Sequence, residues 1–307
     1  MSLSNQNRSR LYAIGTILLW SSAFVFTKIA LEYFSPSAIG VLRYLCASLF
    51  FLFLAFNKRI GLPDVRDIPL FLISGAMGFS LYMTFFNIGA GKISPATASI
   101  IISTAPIFTA VFSLIVFKEK IRLLGWIAIA IEFCGILVLT LWDGVFTINI
   151  GILWMLGSAI CISIYNLLQR HTIKKYSALQ ATAYSVFAGT ILLLFNLPHA
   201  TPQLISAPAR HLFAIVFMGV FPSAIAYLWW SKALVTAEKT SDVTNFMFVT
   251  PFLATFLGFL LIKEVPSTAT IVGGLIILAG LFMFQKAKTD VVKIKNSDQY
   301  AIPKENA

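Results

Sequence analysis

Residues 94–120, SPATASIIISTAPIFTAVFSLIVFKEK, are answered 145 positions later by residues 239–265, KTSDVTNFMFVTPFLATFLGFLLIKEV. The same offset pairs Tyr82 with Tyr227, Ser99 with Thr244, Pro106 with Pro251, Lys118 with Lys263, Glu119 with Glu264 and Gly135 with Gly280. A nearby offset of 142 relates the first apolar run to the sixth and matches Lys28 with Arg170. A proline inside an apolar run and a Lys-Glu pair at its end, both kept, mark the chain as two copies of one unit.

Working outward, the runs themselves set the class. The 307 residues are 58% apolar, 14% aromatic and 11% charged, with a mean hydropathy of +0.86. That leaves too few polar groups to coat a soluble domain and too much apolarity for a disordered chain. A helix crossing about 30 Å of hydrocarbon needs about 20 apolar residues. Ten such runs occur, at 11–31, 37–56, 68–90, 95–117, 121–142, 150–169, 178–197, 212–231, 243–262 and 267–285. The first is too long for a signal peptide and lacks a small-residue cleavage site. Cys46, Cys134 and Cys161 all lie inside runs, where they act as small hydrophobes and form no disulfide framework.

The net charge of +11 is distributed by side. With ten alternating spans, eighteen Lys and Arg fall on the side of both termini and only Lys92, Arg210 and Lys263 on the other, leaving Lys28 and Arg43 within runs. By the positive-inside rule both termini are cytoplasmic. The basic charge therefore reads as topology and attraction to lipid, with no nucleic-acid partner. The expected architecture is an all-α integral membrane protein, ten transmembrane helices as two inverted five-helix repeats: an N-terminal tail at 1–10, repeats at 11–142 and 150–286, and a basic, solvated tail at 287–307. Five is odd, so the second copy enters the membrane from the opposite side. Such copies can exchange conformations around one central site, which favours a carrier.

These residues resemble the drug/metabolite transporter superfamily, in its EamA-type ten-helix branch. The resemblance rests on Ser94-Pro95-Ala96-Thr97-Ala98 to Pro106, Phe117-Lys118-Glu119-Lys120, Gly125 to Gly135, their second copy from Ser241-Asp242 to Gly280, and Leu19-Trp20-Ser21-Ser22-Ala23-Phe24. It implies a carrier of the cytoplasmic membrane that moves small organic molecules, usually amino acids or related metabolites and usually outward. It also implies a cavity lined by spans one, three, four, six, eight and nine, with spans five and ten behind it. Pro106, Glu119 and Gly135 are then scaffold. The second copy has no arginine answering Arg43.

A central site for an organic cargo needs apolar walls with a few polar groups. The candidates are Trp20, Tyr82, Tyr165, Asn166 and Tyr227, with Ser103, Asn245 and Phe248 beside Pro106 and Pro251, whose missing N–H frees a carbonyl. Each aromatic has the alternative of packing surface or lipid-facing belt. Three ionisable residues lie within spans. Lys28 either snorkels or meets substrate. Arg43 either ties helix ends together or grips a substrate carboxylate. Glu132 either hydrogen-bonds a neighbouring helix, with Arg43 a conceivable partner, or exchanges a coupling proton. No catalytic motif, metal-ligand set or phosphate cradle is present, so no enzyme activity, metal or cofactor is expected. The expected partners are a small-molecule substrate and membrane lipid, in a monomer or homodimer. A drug or cation exporter and a non-transporting scaffold or receptor remain the alternatives to metabolite export.

Overall fold

The computed structural model describes residues 5–117, 123–142, 149–236 and 245–299. Lys118, Glu119 and Lys120, and Ser241 and Asp242 of the second copy, fall outside those residues. Among the described residues the chain is all helix, with no strand. Six helices are long and apolar enough to cross a membrane, and four shorter apolar helices fill the remaining places in the order expected for ten spans.

The first span is Asn5–Leu31 and the second Pro36–Asn57. The third is built of Ile68–Gly75, a π-helical stretch Ala76–Leu81, and Tyr82–Ala90. The fourth is two helices, Pro95–Ile102 and Ala105–Phe117, and the fifth is Leu123–Leu141. The second copy continues with Ile150–Thr172 and Ala178–Leu193. Its eighth span is Ala209–Val220, a π-helical stretch Phe221–Ile225, and Ala226–Thr236. The ninth joins the 3-10 turn Asn245–Val249 to Thr250–Ile262, and the tenth is Thr268–Gln299.

Serines start several of these helices. Ser35 and Ser94 each precede a proline and accept a bond from a backbone N–H three residues on, while Ser177 forms a full capping box with Gln180. Two elements outrun the apolar pattern. The seventh span continues through a 3-10 turn into Leu197–Ile205, where sequence alone suggests a loop. Pro198 sits in its first turn, where no N–H is needed. The tenth helix passes residue 285 without a break, because 286–299 contains neither Gly nor Pro.

The inverted symmetry is visible in the contacts. Ser48 and Thr190, related by the 142 offset, hydrogen-bond each other at 2.8 Å between the second and seventh spans. At one end of the bundle the connection after the first span meets the one after the seventh, through Tyr33 to Ser206, Ser35 to Gln203, and Glu32 to Arg210 and His211. At the opposite end, the connection after the second span meets the one after the sixth. There Lys175 pairs with Asp64 and Asp67, and Tyr176 bonds Asp67 at 2.6 Å. The two carboxylates hold the Lys175 amine more firmly protonated than an ordinary lysine.

Spans pack closely where side chains are absent. A Cβ on Gly189 would stand 2.7 Å from the Gly75 carbonyl, so the third and seventh spans cross backbone to backbone. The fifth and tenth form the most extensive helix pair. Gly135 and Gly273 face each other's carbonyls there, with virtual Cβ separations of 2.9 and 3.0 Å. In hydrocarbon this close dispersion contact replaces the hydrophobic effect as the source of helix association. Gly273→Leu should therefore wedge this pair apart and destabilise the fold by about 1–3 kcal/mol, read from denaturant unfolding in mixed micelles.

Candidate functional site

In the middle of the bundle, five spans deliver aromatic rings to one cluster with Phe79 at its centre. Phe79 is fully buried, with ring centroids 5.3 Å from Tyr44, 5.0 Å from Tyr165 and 5.9 Å from Tyr227. Tyr227 in turn meets Trp20 edge-on at 5.5 Å, and Trp20 lies 5.1 Å from Trp230. Tyr82, half-buried, packs on Phe86 at 5.7 Å, and its carbonyl accepts a bond from Ser158 at 3.2 Å.

Arg43 enters this cluster from the second span with 4% of its surface exposed. Its Nε donates to the Ser223 hydroxyl at 2.7 Å, while its Nη1 is buried without a partner among the described residues. The hydroxyls of Tyr44, beside Ser223, and of Tyr165, beside Gln169 and Thr182, are likewise buried and close no hydrogen bond of good geometry among the described residues. Arg43 lies within electrostatic reach of Tyr44, Tyr82 and Tyr227.

The π-helical stretches explain how these side chains converge. Ala76–Leu81 and Phe221–Ile225 begin at residues related by the 145 offset, and they immediately precede the helical segments that start at Tyr82 and Ala226. A π turn inserts one residue into a helix and rotates the segment beyond it, and such turns are frequent at functional sites. Here one carries Phe79 and the other Ser223, and both re-aim a tyrosine toward the centre.

The sequence candidates divide on this geometry. Trp20, Tyr82, Tyr165 and Tyr227 belong to the cluster or its rim. Ser103 is buried but bonds back to the Ser99 carbonyl at 2.8 Å, at the Ser103–Thr104 break in the fourth span. Asn166 is exposed and stands apart from the buried rings. Asn245 and Phe248 lie on the 3-10 turn before Pro251, and their side chains fall outside the described part of the structure. Lys28 donates to the carbonyls of Ala90 and Ile93 at 3.3 and 3.2 Å, closing the end of the third span. Glu264 lies near that amine, and burial raises its carboxyl above the usual range.

Glu132 is 2% exposed at the interface of the fifth and tenth spans, its Cγ 2.6 Å from where a Gly280 Cβ would stand. Neither carboxyl oxygen has a hydrogen-bond partner among the described residues, and Arg43 is committed to Ser223 instead. The expected bond to a neighbouring helix is absent among the described residues because the tenth-span surface there is Gly280 backbone with apolar side chains such as Leu281 and Phe284 nearby.

Sequence reasoning missed Tyr44, Phe79 and Ser223. Phe79 lies three residues before Tyr82 and Ser223 four before Tyr227, so helical spacing puts each on its tyrosine's face. That signal was present. The π turns that amplify it have no sequence signature.

Two stretches of the chain, residues 8–141 and 149–285, match the model of the EamA-like transporter family. The chain belongs to this family. The uncharacterized transporter YdfC of Bacillus subtilis is 33% identical over 265 residues, covering 86% of each chain. A protein of Streptantibioticus cattleyicolor named a probable terminal-alkyne amino-acid exporter is 26% identical over 271 residues, covering 88% of this chain and 91% of its own. One crystal structure shares the fold with a TM-score of 0.60 at 18% identity, over 91% of this chain and 97% of that one. The protein is thus a multi-pass membrane transporter of the EamA-like family.

Two substitutions separate packing from unused polarity in the cluster. Phe79→Ala removes the ring on which three tyrosines rest and should cost about 3–5 kcal/mol of stability. Tyr165→Phe deletes a hydroxyl that bonds nothing among the described residues and should leave the unfolding midpoint unchanged. Denaturant titration of both purified variants in mixed micelles checks the pair.

Proposed function

We propose that this EamA-like transporter resides in the cytoplasmic membrane with both termini inside, and exports amino acids or related small metabolites by alternating access. The observation that carries the reading is the pair of π turns at repeat-equivalent places, each opening onto a tyrosine of the central cluster. A bundle whose two halves bend at matching points can expose one site to either side in turn, with one half's geometry exchanged for the other's. Cargo needs only comparable affinity in the two states for downhill movement.

Several further observations support the central cluster as the place where cargo sits. It combines apolar rings with unpartnered hydroxyls, the mixture that binds and orients an organic molecule. The exporter named in Streptantibioticus cattleyicolor, similar over most of its length, lends the amino-acid assignment its direction. Cation efflux has less support, because no acidic side chain joins the cluster among the described residues. The distribution of Lys and Arg supports the orientation.

Proteoliposomes charged with a panel of amino acids and small metabolites provide the test. Counterflow of at least one panel member is expected with the unaltered protein, falling more than tenfold in Tyr82→Ala and Tyr227→Ala at matched reconstitution. Unchanged flux in both variants would remove the symmetric central site. Silence of the whole panel, under counterflow and under an imposed proton gradient, would remove metabolite export.

A further inference from the structure

We infer that Arg43, with the hydroxyls of Tyr44 and Tyr165, is the anchor for a single carboxylate, so that the transported cargo is a small organic acid held by its acid group. The inference deepens the central-site reading above and rests on it.

The argument begins with charge. A guanidinium within a membrane bundle is costly unless it is paired, and its planar set of donors matches a carboxylate. Arg43 forms no ion pair among the described residues, whose acidic groups lie elsewhere: Glu32 beside Arg210 and His211 at one end, Asp64 and Asp67 on Lys175 at the other. Glu264 lies near Lys28, and Glu132 sits in the interface of the fifth and tenth spans. The protein therefore supplies the positive charge at the centre and leaves the negative charge to its cargo.

Geometry points the same way. Ser223 takes the Arg43 Nε and orients the guanidinium, leaving Nη1 buried and unpartnered. The second-span backbone is held there by Gly219, whose virtual Cβ would stand 2.6 Å from the Arg43 carbonyl, so the eighth span fixes both ends of the residue. Tyr44 and Tyr165, each packed against the Phe79 ring, bring two buried O–H groups, the first beside Ser223 and the second beside Gln169 and Thr182, neither of which closes a hydrogen bond of good geometry among the described residues. The Arg43 guanidinium lies 5.9 Å from the Tyr44 ring centroid, and Tyr44 and Tyr165 flank the same Phe79 ring, so these donors share one neighbourhood and call for a multivalent acceptor. A carboxylate has two oxygens with about four lone-pair sites, enough for all three. Among its described residues the same cluster offers no carboxylate with which a cargo ammonium would pair, so the acid group suffices for recognition and the amine is tolerated.

An anchor and a purely structural clamp differ in the ligands they discriminate. The probes are leucine, 4-methylpentanoate and 4-methylpentanamide, with the corresponding three forms of the phenylalanine skeleton. Binding is read as ligand-induced thermal stabilisation of the detergent-purified, full-length protein. Both acids and both amino acids should stabilise the protein and the two neutral amides should not. Arg43→Met should abolish the preference for acid over amide, with Arg43→Lys retaining part of it. Tyr44→Phe and Tyr165→Phe should each weaken acid binding about ten- to a hundredfold, the range for a hydrogen bond to a charged group, while leaving the unliganded melting point unchanged. These two variants keep the test decisive if Arg43→Met fails to fold.

Equal stabilisation by acids and amides would overturn the anchor, as would acid preference surviving in Arg43→Met, acid binding undiminished in both tyrosine variants, or an absence of binding by every acid. Transport separates this failure from failure of the carrier reading. Acids that bind in detergent but never cross liposomes leave the anchor standing and remove the carrier. Uncharged cargo that crosses in a Tyr82-dependent way does the reverse.

Discussion

Hydrocarbon offers a backbone nothing to bond with, and the rest of this structure depends on that constraint. Every apolar run must satisfy its own N–H and C=O groups, so the chain has one local solution, and it takes it ten times. Among the described residues, several departures from regular α-helix fall beside the aromatic cluster, while the 3-10 turn Leu194–Asn196 lies at the exposed end of the seventh span. The two π turns carry Phe79 and Ser223 of the central cluster, and the Ser103–Thr104 break in the fourth span lies where a neighbouring span completes the bonding. Ser163 of the sixth span, for example, donates to the Ala105 carbonyl just past the break. The π turns therefore mark the protein's centre, the region to which the proposed cargo site belongs.

With helices fixed, their association has to be achieved without a difference in apolarity between protein and lipid. Two devices do this. Glycine faces let the third and seventh, and the fifth and tenth, spans meet along their backbones. Short hydroxyl side chains then tie spans across the bundle, as Thr16 does to the Ala226 carbonyl and Thr97 to Thr270. Neither device uses charge. The charged residues that remain in the spans are spared for other work: Lys28 finishes the third span, Glu132 lies among apolar neighbours, and Arg43 stands in the aromatic cluster with one of its donors unpartnered among the described residues.

The symmetry of the fold and the asymmetry of the site belong together. Paired π turns, paired tyrosines and paired end connections relate the two halves in geometry as well as in sequence. Arg43 has no counterpart, since Ser185 occupies the position 142 residues on and bonds its own helix at the Ala181 carbonyl. A single fixed charge in the central cluster is compatible with the one site, seen alternately from each side, that the proposed cycle requires. A second arginine would double the desolvation cost and repel the first.

The ten runs, their alternating charge, the 145-residue repeat and the family resemblance were all legible in the chain, because each depends on composition or spacing along one strand of sequence. Lys and Arg choose a side of the membrane, and apolar length decides which segments cross it; neither needs a partner to be read. Tyr82 and Tyr227 were legible for the same reason, as mates in a repeat. Asn166 looked equivalent to its neighbour Tyr165, yet one helical step of about 100° carries it out of the cluster. Only the tertiary structure could show that Phe79 organises the rings, that Ser223 claims Arg43, and that Glu132 meets glycine instead of a bonding partner. Those facts depend on π turns whose register arises from packing, and on contacts between spans as far apart in the chain as Arg43 and Ser223, 180 residues. The sequence states which groups a membrane will tolerate; which of them face one another is settled only when the helices close.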